Sequence, residues 1–151
     1  MDKYFAAGTM ADIAGGLKTA ITLDGVATRR AKIYEIIMSH VSAPADVTLK
    51  HTLQRYSAPG TNTAVTPSKL DKASPAALCV CGKTNTVEPT YTAGAVVMEV
   101  GINQRATFRW VAAPGAEIIL PATANDGVGE GSVDVAGAAT PNVESLFYWE
   151  E

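Results

Sequence analysis

Short stretches of alternating apolar and polar residues, separated by turn signals, recur along most of the chain. In residues 46–56, every odd-numbered position from 47 to 53 carries an apolar side chain or a histidine, which predicts a half-buried strand. Residues 32–41 carry apolar side chains on both faces, and this predicts a strand that is covered on both sides. Further strands are predicted at residues 17–23, 76–81, 95–100, 105–112, 117–120 and 142–150.

The spacing of these stretches predicts an all-β fold. Glycine, proline, asparagine and aspartate cluster between them, and no window carries an apolar stripe at helical spacing over three turns. The 16 threonines and 14 valines are β-branched residues that pack well on a pleated surface. We therefore expect a two-sheet antiparallel β-sandwich of jelly-roll type. An immunoglobulin-type sandwich is the main alternative, but the sequence lacks the paired cysteines flanking a tryptophan that mark it.

The two ends of the chain differ from the middle. Residues 1–24 are predicted to form an N-terminal arm or an edge strand, next to a single sandwich domain at residues 25–151. If they form an arm, Tyr4 and Phe5 are candidate anchors on a partner. Residues 146–149 are consecutively apolar or aromatic, so one face of the last strand packs on the core while the other needs a cover or a partner.

Composition and charge exclude several classes of partner. The 151 residues suffice for one domain with a core of its own. A net charge of −3 argues against nucleic acid as the main partner. No apolar run reaches the length of a membrane span, and the first residues lack the pattern of a signal peptide. The basic cluster of Arg29, Arg30 and Lys32 is either a solvated face or a docking patch for an acidic protein surface.

Candidate catalytic and metal-binding residues are few. His51 is predicted in the core and His40 at the surface near a turn. Cys79 and Cys81 have a spacing that structural zinc sites do not favour, and they are interpreted as small buried thiols. Residues 127–131 (GVGEG) lack the strand-to-helix context of a phosphate-binding loop and are predicted to form a loop between strands. We expect no enzymatic activity, no cofactor and no metal site.

Blocks of sequence in a distinctive order connect the chain to one family. They include residues 32–35 (KIYE), 53–56 (LQRY), 60–67 (GTNTAVTP), 101–105 (GINQR) and 108–112 (FRWVA). In these and neighbouring blocks, across residues 27–151, the chain resembles the capsid decoration or cement proteins of tailed bacteriophages. The resemblance implies a jelly-roll domain that binds the outside of the phage head as a dimer or trimer, and it implies no catalytic residues.

On that resemblance, the expected partners are the major capsid protein and further copies of the chain, not nucleic acid or a membrane. The expected location is the outer capsid surface of the virion, after synthesis in the host cytoplasm. Six residues are candidates for capsid or subunit contacts: Tyr4, Phe5, Arg29, Arg30, Tyr148 and Trp149. Two alternatives stay open at this point: a carbohydrate-binding or host-recognition β-sandwich displayed on the virion, and a small jelly-roll hydrolase or metalloenzyme.

Overall fold

The computed structural model describes residues 1–11, 16–133 and 142–151, and every regular element in those ranges is a β-strand. In chain order, the strands are β1 (Lys3–Ala11), β2 (Lys18–Asp24), β3 (Lys32–His40), β4 (Thr48–Tyr56), β5 (Thr61–Val65), β6 (Ser68–Lys69), β7 (Val80–Val87), β8 (Tyr91–Asn103), β9 (Phe108–Val111), β10 (Ile118–Ile119), β11 (Gly127–Val133) and β12 (Asn142–Glu150). Within the described ranges, no helix has the length and apolar character needed to cross a membrane.

The strands form two antiparallel sheets that enclose one main core. The first sheet has the order β10-β3-β12-β1-β6, and β9 also pairs with β3; the second has the order β5-β7-β2-β11-β4-β8. Tyr4, Phe147 and Trp149 of the first sheet meet Leu23 and Leu53 of the second in this core. Burying each such side chain stabilises the fold by roughly 1.5–3 kcal/mol. The predicted all-β class and two-sheet antiparallel sandwich are confirmed.

The longest predicted strands are found close to their expected positions. β3 and β4 match the predictions at residues 32–41 and 46–56 to within two residues at each end. β12 matches the prediction at residues 142–150. Each of these three segments has at least one largely apolar face, which the core requires.

The shorter predictions are less accurate. Residues 95–100 lie inside the longer β8, and residues 117–120 contain the two-residue β10. Only residues 108–111 of the predicted 105–112 are a strand, because a turn occupies the start of that stretch. β7 begins at Val80, so the strand predicted at 76–81 is mostly wrong.

The N-terminal residues form an interior strand and not an arm. β1 pairs with β12 along its whole length, from Lys3 opposite Glu150 to Ala11 opposite Asn142. Its other edge pairs with β6. Tyr4, a predicted anchor on a partner, is only 1% exposed. The arm prediction is therefore wrong for residues 3–11, because alternate side chains of this stretch complete the apolar face of the first sheet.

The strand predicted at residues 17–23 exists, but it is not an edge strand. β2 lies between β7 and β11 in the second sheet, and its residues from Thr19 to Asp24 are all buried. The described residues before position 25 therefore belong to the same sandwich as those after it. A segment with apolar and threonine side chains on both faces is typical of such a central position.

β11 is a strand where a loop was predicted. Gly127 and Gly129 fall on the outer face of the second sheet, while Val128 between them belongs to the core. A Cβ atom added at Gly127 would lie 2.7 Å from the hydroxyl of Tyr56. One added at Gly129 would lie 2.5 Å from the hydroxyl of Tyr91. Close neighbours over the strand therefore explain the glycine repeat: tyrosine hydroxyls at Gly127 and Gly129, and the backbone of Lys18 at Gly131.

Candidate binding surface

Two aromatic pairs on β1 and β12 point to opposite faces of the first sheet. Tyr4 is opposite Trp149, and Phe5 is opposite Tyr148. The Tyr4–Trp149 pair is 1% and 0% exposed, with ring centroids 5.8 Å apart. The Phe5–Tyr148 pair is half-buried on the outer face, with ring centroids 5.0 Å apart. Of these four predicted contact residues, Phe5 and Tyr148 are on the surface, whereas Tyr4 and Trp149 are core side chains, which corrects the prediction for them.

A break in strand pairing brings a third aromatic ring to the outer face. Glu35 and Ile33 of β3 pair with two consecutive residues of β12. Tyr34, which lies between them in the sequence, therefore has no partner in β12 and is an extra residue in β3. Such a β-bulge re-aims the side chains next to it. The ring of Tyr34 lies 6.4 Å from the ring of Tyr148. Strict alternation predicts Tyr34 on the same face as Ile36, and the bulge reverses that prediction.

We call this surface the aromatic face, and it consists of Phe5, Tyr34 and Tyr148 with the apolar side chains of Ile37, Leu146 and Val111. Ile37 and Leu146 are opposite each other in the pairing of β3 with β12, and both are half-buried. Val111 of the edge strand β9 is 52% exposed. Because alternate residues of a strand share a face, these side chains extend the three rings into one apolar strip.

Charged side chains border the aromatic face. The ammonium group of Lys3 lies 5.4 Å from the ring centre of Tyr34, in a cation–π arrangement. The Nε atom of Arg109 donates a hydrogen bond to Oε1 of Glu35 at 2.6 Å. That hydrogen bond raises the pKa of Arg109, and burial, with a contribution from Glu35, raises the pKa of Tyr34. An apolar centre with a charged rim is typical of protein–protein interfaces.

The predicted basic residues lie at a separate place, in the turn closed by the bridge between Val26 and Arg29. Arg29 and Arg30 are both exposed. Arg29 borders a cleft of about 200 Å³ that is also lined by Asp2, Tyr4, Pro75, Ala76, Leu78 and Glu151. Two polar groups of this cleft have partners within the chain: the hydroxyl of Tyr4 donates to the carbonyl of Pro75, and the carboxylate of Glu151 accepts two backbone N–H bonds.

Four polar side chains, two from each sheet, are connected by hydrogen bonds across the core. The carboxylate of Glu130 accepts hydrogen bonds from the hydroxyl of Ser145 and from Nδ1 of His51, the latter at 2.8 Å. Nε2 of His51 lies 3.3 Å from Nε2 of His40. Because a carboxylate only accepts, Nδ1 of His51 carries the proton in its hydrogen bond with Glu130.

These hydrogen-bonded side chains connect the two sheets, and three of the four are closed to solvent. His51, Glu130 and Ser145 are 0% exposed. Burial and the neighbouring His51 lower the pKa of His40 to about 4, so its ring is neutral near pH 7. The prediction of a satisfied core histidine at position 51 is confirmed. His40, predicted at the surface near a turn, is half-buried at the end of β3, with its ring against that of His51.

The two cysteines are free and buried, as predicted. Burial raises the pKa of both thiols well above the usual value, so they are protonated near pH 7. In the part of the chain that the structure describes, no group of three or more histidine, cysteine, aspartate or glutamate side chains is arranged to hold a metal ion.

Sequence reasoning identified half of the aromatic face. The run of aromatic residues at 147–149 signalled an apolar outer face, and Phe5 was singled out beside it. Tyr34, Ile37 and Val111 were missed as surface contacts, because their position depends on the bulge in β3 and on which strand lies beside it. Comparisons with models of known protein families, with curated proteins and with solved structures gave no match.

Proposed function

We propose that this protein is a virion structural protein that binds the outer surface of a phage capsid as a homo-oligomer and decorates or stabilises the head. Its partners are then the major capsid protein and further copies of the chain. Two observations support the proposal: the resemblance of its sequence blocks to tailed-phage decoration proteins, and the aromatic face on a β-sandwich.

The aromatic face is the observation that carries the proposal. The ring of Tyr148 contacts those of Phe5 and Tyr34, and all three are partly open to solvent. Aromatic and arginine side chains are the commonest hot spots of protein–protein interfaces. These rings belong to paired strands and not to loops, so little conformational entropy is lost when a partner covers them. The exposed Arg109 at the rim adds a charge that can orient the partner.

A capsid suits a small contact of this kind. Its symmetry repeats the same binding site many times over the shell. A protein that binds the assembled shell, and not the free subunits, stabilises the shell by mass action. A protein in this role needs a stable fold and a contact surface, and it needs no catalytic group.

The test is a binding assay on capsids assembled without this chain. Purified protein is mixed with intact capsids, and the bound fraction is measured after the capsids are sedimented. Saturable binding of the wild-type protein is expected. Replacing the surface pair, Phe5→Ser with Tyr148→Ser, is expected to weaken binding at least about tenfold, because two hot-spot rings are removed.

The matched control replaces two exposed valines of the second sheet, Val80→Ser with Val87→Ser. These side chains are 57% and 58% exposed and lie away from the aromatic face. The control variant is expected to bind like the wild type, and thermal unfolding must show that both variants are folded. Failure of the wild-type protein to bind intact capsids would overturn the proposal.

A carbohydrate-binding sandwich displayed on the virion is the second candidate, since sugar rings also pack on aromatic side chains. The rings of the aromatic face favour this function. Tyr4, Tyr56 and Trp149 cannot serve it, because they are 1% exposed or less. Binding to a glycan array that is lost in the Phe5→Ser, Tyr148→Ser variant supports this second function. An array without hits removes it.

A further inference from the structure

The second sheet ends on a long strand whose outer edge is unpaired among the described residues. β8 has 13 residues, and the pairings of the described chain join it to β4 alone. The other terminal strands are much shorter, with five residues in β5, two in β6, four in β9 and two in β10. A long free edge offers backbone donors and acceptors to another strand, and proteins usually protect such edges.

The sequence of β8 lacks most of that protection. It contains no lysine, arginine or proline, and its one charged residue is Glu99. The carboxylate of Glu99 lies 2.8 Å from the ammonium group of Lys50 in β4. Val97 has no partner in β4, which marks a bulge, and it is 36% exposed. The bulge leaves residues 98–103 as the regular part of the free edge.

Residues 98–103 are able to pair with a second copy of themselves. A two-fold axis perpendicular to the sheet makes two edge strands antiparallel, and each contact then occurs twice. With the axis at Val100, Met98 is opposite Ile102 and Glu99 is opposite Gly101 of the second copy. An axis at Glu99 would place two carboxylates opposite each other, which is unfavourable.

The register centred on Val100 also produces a favourable row of charges. Lys50 is opposite Gly101 where β4 pairs with β8. Glu99 of the second copy would lie on the other side of Gly101, two strand spacings or about 10 Å from Lys50. Gly101 is exposed and has no side chain between them, so extended lysine and glutamate side chains can bridge this distance. Symmetry repeats the row, so both Lys50–Glu99 pairs gain from the contact.

We infer that residues 98–103 are the contact between two copies of this chain, which join edge to edge into one continuous sheet. This inference rests on the proposed homo-oligomer and narrows it to a two-fold dimer. The dimer edge lies in the second sheet, so the aromatic face of the first sheet stays available to the capsid.

The first experiment measures the mass of the purified full chain by sedimentation equilibrium, without capsids. A concentration-dependent dimer is expected. Hydrogen exchange is expected to slow within residues 98–103 as the concentration rises through the dimer range, because free backbone N–H groups become paired. A monomer at every concentration, or slower exchange confined to another segment, overturns the inference.

Two variants test the register. Gly101→Glu places a carboxylate opposite Glu99 of the second copy, and the dissociation constant is expected to rise at least about tenfold. Lys50→Gln removes the bridging ammonium group, and the dimer is expected to weaken and to lose much of its salt dependence. The matched control is Thr63→Glu, which adds the same charge on the exposed edge strand β5 and is expected to leave the dimer unchanged.

A dimer that resists Gly101→Glu, in a variant whose thermal unfolding is normal, overturns the inference. A protein that binds capsids as a monomer overturns the dimer and the homo-oligomer, but it leaves the proposed binding to the capsid standing. A protein that dimerises through residues 98–103 but does not bind capsids overturns the proposed function alone.

Discussion

The pairs Tyr4–Trp149 and Phe5–Tyr148 are built from adjacent residues of the same two strands, yet they occupy different environments. The first pair is buried between the sheets, and the second lies on the outer face. Both pairs have ring centroids within 6 Å, at 5.8 and 5.0 Å. The difference shows that strand register, and not residue type, separates the rings that stabilise the fold from those that can bind a partner.

Truncating the inner pair tests this difference through stability. Trp149→Ala removes a fully buried indole from the core, and the free energy of unfolding is expected to fall by about 3–5 kcal/mol. Tyr148→Ala, one residue earlier, removes a half-buried ring, and the expected loss is about 1 kcal/mol. Urea unfolding of both variants measures the two losses. Equal losses would contradict the structure, in which one face of β12 is buried in the core and the other is partly exposed.

The pH dependence of stability is a further test, and it depends on His40, whose ring packs against the buried His51. The pKa of His40 falls from its usual 6.5 to about 4 on folding, so the unfolded chain binds more protons between these values. The contribution of His40 to stability is therefore fully present above pH 6.5 and is lost as the pH falls towards 4. Its size is about 1–2 kcal/mol when solvent screening of the half-exposed ring is allowed for.

This pH dependence is measured by urea unfolding at pH 7, 6, 5 and 4. His40→Gln removes the titrating ring, and its stability is expected to change less with pH than that of the wild type over the same range. The comparison cancels the contributions of other groups, such as Asp24, whose pKa is raised by burial. Parallel curves for the two proteins would contradict the assignment to His40.

The ion pair of Arg109 and Glu35 on the outer face is expected to contribute little to stability. The side chain of Arg109 is 62% exposed in its contact with Glu35, so water and salt screen the pair. Arg109→Ala is expected to leave the unfolding midpoint unchanged within error. If the aromatic face binds capsids, the same variant slows association and reduces its salt dependence, which stopped-flow or surface-based binding kinetics would detect.

The sequence predicted those parts of the fold that depend on local alternation. Residues 46–56 and 142–150 have one clearly apolar face, and both became strands close to the expected limits. The glycine repeat at 127–131 was misread as a loop, because glycine is a turn signal unless one knows that Tyr56 and Tyr91 lie over it. The arm predicted at the N-terminus was wrong because the partner of β1 is β12, more than 130 residues away in the chain.

The candidate surface was predictable in part for the same reason. Phe5 and Tyr148 stand out in the sequence, but their contact requires the long-range pairing of β1 with β12. Tyr34 reaches the same face through a bulge that no local pattern marks. Arg29 and Arg30 stand out as a basic cluster, and the fold places them at an exposed turn, where Arg29 borders the cleft.

The most direct measurement is a cryo-electron microscopy structure of a capsid decorated with this protein. We expect the aromatic face to lie against the major capsid protein, with Phe5 and Tyr148 buried in the contact and Val80 and Val87 facing solvent. A decorated particle in which Phe5 and Tyr148 face solvent, while another surface of the sandwich contacts the shell, would contradict the proposed binding surface.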